Sequence, residues 1–158
     1  MTLTLFPTFI ILFFSFAAGF FAVLSYIEKP VWPLMFDAKS NTVIDSDARL
    51  IHAELKRIIE LAPPTMMTVV GSGTICILLQ VWLQDFSRDS LIVLTFFVLC
   101  QGYILTQLFG RIEAVKQTPS DGSIGVVRSG LGQLAAIHHI GLATVAGLTL
   151  LELMLFAV

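Results

Sequence analysis

"SLIVLTFFVLCQGYILTQLFG", residues 90–110, runs from Ser90 to Gly110 without one charged side chain. At a rise of about 1.5 Å per residue such a helix reaches about 30 Å, the thickness of the hydrocarbon core of a bilayer. Three other stretches behave alike: Met1–Ile27, Leu61–Gln84 and Ser129–Leu151. Charged residues make up 13% of the 158 and hydrophobic ones 56%, against the roughly 25% charge usual in a soluble domain. The sequence predicts an all-α integral membrane four-helix bundle. It forms one domain over 1–158, with spans at about 3–27, 63–84, 90–110 and 131–156. The first stretch has no basic residue ahead of it and is too long for the apolar core of a secretion signal, so it is expected to remain as a span.

Basic residues orient the four spans. Lys29, Lys39, Arg49, Lys56 and Arg57 lie between spans one and two, and Arg111, Lys116 and Arg128 between or beside spans three and four; the opposite side has Arg88 alone. Short basic loops stay in the cytoplasm, so both termini are expected outside, with a bacterial inner membrane as the expected setting. "DFSRD", residues 85–89, predicts a tight turn joining spans two and three as an antiparallel hairpin.

The loop at 28–60 carries its own helical order. Asp45 or Ser46 can cap a helix in which Ile51, Leu55, Ile58 and Ala62 form an apolar stripe, opposite Arg49, His52, Lys56 and Glu60. This pattern predicts an amphipathic helix on the cytoplasmic membrane surface that runs into Pro63-Pro64, where the entry into span two is kinked. A net charge of −2, with no basic tract or zinc-finger spacing, points to membrane lipids and hydrophobic small molecules as partners and not to nucleic acid. Cys76 and Cys100 fall inside spans and read as buried thiols, not a disulfide framework.

Ionisable groups inside a bilayer are costly and mark candidate sites. Counting inward from the cytoplasmic edge at helical rise puts His138, Tyr103 and Ser72 in one layer. On span three, Cys100, Tyr103, Gln107 and Gly110 share a face; on span four, Gly132, Ala136, His139, Ala143 and Gly147 do, which turns His139 inward and His138 about 100° away. Three roles follow for the pair. The histidines can hold helices together through Tyr103, Gln107 or Ser72, serve a ligand pocket with proton or redox chemistry, or ligate a metal or haem. No other span contains histidine for a second haem ligand, and the Glu-x-x-His repeats of a carboxylate-bridged metal pair are missing, so no metal site is assigned. His52 and Glu60 belong either to a solvated face or, with Arg111 and Gln107, to the rim of a pocket whose floor is the histidine pair. Glu152 is expected at the outer interface, with a proton path as its alternative role.

The segments "AAGFFAVLSYIEKPVWPLMF", "DARLIHAELKRIIELAPP" and "LAAIHHIGL" resemble the anthrone-oxygenase-like family of small four-helix membrane proteins. That resemblance implies oxygenation of a hydroxy-anthrone type substrate to a quinone, with histidine and polar residues handling protons. His139 would then take a proton while Tyr103 or Arg111 steadies the developing oxyanion. A second resemblance is to the membrane glutathione transferases, where "RLIHAELKR" supplies Arg49 and His52 but has Glu54 in the place of an asparagine. The contrasting expectation is a non-catalytic subunit or assembly factor, held as a homo-oligomer or among other membrane subunits by its phenylalanine-rich spans.

Overall fold

The computed structural model describes residues 5–156, without the side chain of Pro63; residues 1–4 and 157–158, at the two ends of the expected domain, lie outside the described residues. The elements are α1 (Leu5–Glu28), a short 3-10 helix (Lys29–Met35), α2 (Asp45–Leu83), α3 (Arg88–Gln117) and α4 (Ile124–Phe156). Four segments are long and apolar enough to cross a membrane: Leu5–Met35, Pro64–Leu83, Arg88–Gln117 and Ile124–Phe156. Neighbours around the bundle are α1 with α2, α2 with α3, α3 with α4, and α4 with α1.

The hairpin between α2 and α3 forms as expected, with identifiable caps. Asp85 and Phe86 take left-handed backbone angles (φ 49° and 55°). The Phe86 amide reaches the Val81 carbonyl at 3.0 Å and the Asp85 amide that of Trp82 at 3.1 Å. This pair of bonds is a Schellman cap, which satisfies the last carbonyls of α2. Ser87 then caps α3 by accepting from the Ser90 amide.

The helix expected in the loop at 28–60 forms and runs from Asp45 through Pro63 and Pro64 into the second span as one helix of 39 residues. Its buried face and its cap differ from expectation. Its inward stripe is Ala48, His52, Leu55 and Ile59, all buried. Ala48, Leu55 and Ile59 pack into a core with Val31, Leu34, Val115 and Leu131. The period was read correctly but the face was rotated toward His52, because the ends of α3 and α4, not lipid, cover this segment. Nor does Asp45 cap: the residue before the helix is Ile44, without a side-chain bond, while the Asp45 carboxylate pairs with Arg128 at 2.7 Å.

Arg128 organises the turn-rich link that follows the 3-10 helix. Its guanidinium donates to the carbonyls of Ala38 and Val43, each at 3.0 Å, and to that of Ser40. A planar group with five donors can hold a strand of irregular backbone in this way. Gly132 seats the 3-10 helix itself, since a Cβ there would run into the Leu34 carbonyl. The consequence lies one turn further on: the end of α1 is pressed deep against α4.

Candidate functional site

That press brings Glu28 to His138. The carboxylate is fully buried and the imidazole 6% exposed, and His138 Nδ1 lies 2.7 Å from Glu28 Oε1. An ionised Glu28 only accepts, so in that state Nδ1–H donates, and in the neutral ring Nε2 is the nitrogen with a free lone pair. The other carboxylate oxygen, Oε2, is buried without a partner. Gly141 makes room for Phe21, whose ring would touch a Cβ there at 3.0 Å. Phe21 in turn lies against the His138 ring, centroids 6.2 Å apart.

His138 stands on the wall of a cavity of about 400 Å³ enclosed by all four helices. A volume of that size is in the range of small-molecule sites, which are largely apolar with a few placed polar groups. Here the polar lining side chains are Thr74, Gln101 and His138. The Thr74 hydroxyl is spent on the Val70 carbonyl at 2.7 Å. The mouth lies between α2 and α3, where the lining residues Met67 (69% exposed) and Phe109 (61%) also form the outer surface. It therefore opens sideways, through the face that a bilayer would cover.

His139 sits outside this cavity. Its Nδ1 bonds the Ala135 carbonyl at 2.8 Å and its Nε2 the Ser25 hydroxyl at 2.9 Å. The Trp32 ring, itself anchored to the Ser25 carbonyl, closes edge-on over it at 5.3 Å. Both nitrogens are engaged: His139 faces the end of α1 and holds two helices together, while His138, turned about 100° away, takes the place on the cavity wall. The small-residue face of α4 does meet a neighbour, but Gly132 and His139 meet the 3-10 helix and the end of α1.

The remaining candidates do not gather around the histidines. Tyr103 is 51% exposed on the outside of α3, because the buried line of that helix is Val93, Phe97 and Ile104. Arg111 reaches the Gln133 carbonyl at 2.6 Å and Gln107 at 3.3 Å. Neither lines the cavity, and neither do His52, Glu60 or Ser72. His52 is buried at the loop end of α2, with Nδ1 3.0 Å from the Ser120 hydroxyl and Nε2 without a partner. Burial first, and then the Lys56 ammonium, hold its pKa below the ordinary 6.5, offset in part by the Val115 backbone. Arg49 and Lys56 bind the carbonyls of Ser120 and Thr118, so this face of α2 clamps the α3–α4 link. Glu152, expected at an interface, is fully buried and accepts from Gln80 Nε2 at 3.1 and 3.4 Å.

Sequence reasoning missed Glu28 and Gln101. Glu28 ends the first charge-free stretch, and counting from that charge put it at the membrane edge. The segment actually continues to Met35 by way of the 3-10 helix, which draws the carboxylate inward. A bare carboxyl followed by Lys-Pro at a span end, opposite a span with paired histidines, was the available signal. Among the described residues no group of three or more His, Cys, Asp and Glu side chains could hold a metal ion. No protein-family model, curated protein or solved structure matches this chain.

Proposed function

We propose that this protein binds a hydrophobic, aromatic or quinone-like ligand in the cavity between its helices, and that His138 moves a proton to or from it. The observation that carries this reading is the pairing of His138 with Glu28 on the wall of an otherwise apolar cavity. A carboxylate on Nδ1 fixes the ring and its tautomer and stabilises the imidazolium formed when Nε2 takes a proton. Removal of a proton from a ring hydroxyl or an activated methylene is the first step required by an oxygenase of the anthrone type, in which dioxygen then accepts the electrons. In this reading the base is His138, not His139. Tyr103 and Arg111 take no part, being outside the cavity. The charge asymmetry of the loops supports a cytoplasmic position for the His138 half, with both termini outside and a bacterial inner membrane as the setting.

Oxygen uptake by the purified protein with anthrone tests the proposal. His138→Gln keeps an N–H for Glu28 but supplies no base, so uptake is expected to fall by about a hundredfold or more. His139→Gln is expected to retain most of the rate. Equal rates for wild type and His138→Gln would overturn the assignment.

A further inference from the structure

Resting on the reading above, the geometry points to a more specific ligand: we infer a ring system dissolved in the bilayer that carries two oxygen functions on opposite edges, one met by His138 and the other by Gln101. The Thr74 proton is committed to its own helix, so Gln101 is the lining side chain with an unused donor and His138 the one with an unused ring nitrogen. Gln101 is half-buried, and its amide has no hydrogen-bond partner among the described residues. An amide on an apolar cavity wall with both its donor and its acceptor unused is open to a guest that can pair with either.

The spacing of the two groups sets the size of the ligand. Val115 packs on Gly130 and Phe96 on Gly147, an antiparallel register that places Gln101 level with Ala143. His138 is then about five residues, or about 7.5 Å, nearer the loop end. A fused or para-substituted ring can bridge that interval with an oxygen at either edge; a ligand with one oxygen can satisfy only one group. No lysine or arginine lines the cavity, so nothing in it would hold a phosphate headgroup. The sideways mouth beside Met67 and Phe109 admits a ligand already partitioned into lipid. Gln101 is therefore a specificity-determining residue, with an amide that can donate to a quinone carbonyl or accept from a quinol hydroxyl.

Two fluorescent probes of one ring size separate the possibilities: 2,6-dihydroxynaphthalene, with oxygens on opposite edges, and 2-naphthol, with one. Titrated into the intact protein in detergent, the first is expected to bind about tenfold more tightly, the worth of one well-placed hydrogen bond. Gln101→Leu is expected to abolish that preference while leaving 2-naphthol affinity within about twofold. Binding of both probes with the same preference in wild type and Gln101→Leu would overturn the role of Gln101 but leave the cavity reading standing. If neither probe binds the wild type, the cavity reading fails and this inference falls with it.

Discussion

Gly71 and Gly73 stand two residues apart on α2, about 3 Å along its axis but about 200° around it, and face two differently built parts of the bundle. A Cβ at Gly73 would lie 2.7 Å from the Phe14 ring, whereas one at Gly71 would find nothing within 4 Å. Toward the chain termini, Ile10, Phe14, Ile77, Phe97 and Leu148 fill the interior. Toward the loops, the cavity takes that space. Each half also buries a carboxyl completely, Glu152 against the amide of Gln80 and Glu28 against the imidazole of His138. An amide cannot take a proton in the physiological range, but an imidazole can. The filled half thus buries its carboxyl as a helix-to-helix link, and the hollow half buries one beside the imidazole on the cavity wall.

The largest expected effect comes from breaking the hollow half's pair. His138→Leu leaves Glu28 buried without a partner, and loss of one member of such a pair costs about 3–5 kcal/mol. The double variant Glu28→Leu/His138→Leu is expected to recover most of that loss, since it leaves no orphaned charge. Thermal unfolding in detergent measures both; a double variant as unstable as the single one would mean that the pair is not what holds the two elements together.

A second prediction sharpens the contrast between the glycines. Gly73→Ala must displace Phe14 and is expected to destabilise by about 1–3 kcal/mol, as overpacking does. Gly71→Ala projects into open space on a helix and is expected to stabilise by about 0.5–1 kcal/mol. Effects of the same sign and size at both positions would erase the distinction between a filled and a hollow half.

The smallest expected effect belongs to the loop end. Burial and Lys56 keep the folded-state pKa of His52 below 6.5. Below that pH the unfolded chain takes up a proton that the folded chain refuses, so this contribution is whole above pH 6.5 and is lost as pH falls toward the folded-state value. Unfolding midpoints of wild type and His52→Gln are accordingly expected to differ more at pH 8 than at pH 5.5. A difference that does not change with pH would mean that the buried ring titrates as it does in water.

How much of this was legible beforehand depended on the range of the force involved. The four long apolar helices and the α2–α3 hairpin were readable, because solvation by lipid and local turn chemistry act on neighbouring residues along one chain. The helical period of residues 45–62 was readable as well. Its buried face was not: that depended on the ends of α3 and α4 lying over His52. Which histidine lines the cavity was not readable for a related reason. Small residues mark a face that can be closely approached, but they do not say whether a helix or a cavity will approach it. On α4 the small face received the 3-10 helix, and its neighbour His138 received the cavity.

Charge-free length and helical period, both properties of consecutive residues, determined an all-α bundle with four segments able to cross a membrane. Which histidine meets a carboxylate was decided only in three dimensions. The 3-10 helix carries the end of α1 past the point where its charges would suggest it stops, and Gly132 lets it press against α4. A residue's depth along its own helix can be counted from sequence, but its partner across a bundle depends on how closely two backbones approach, and that is a property of the pair.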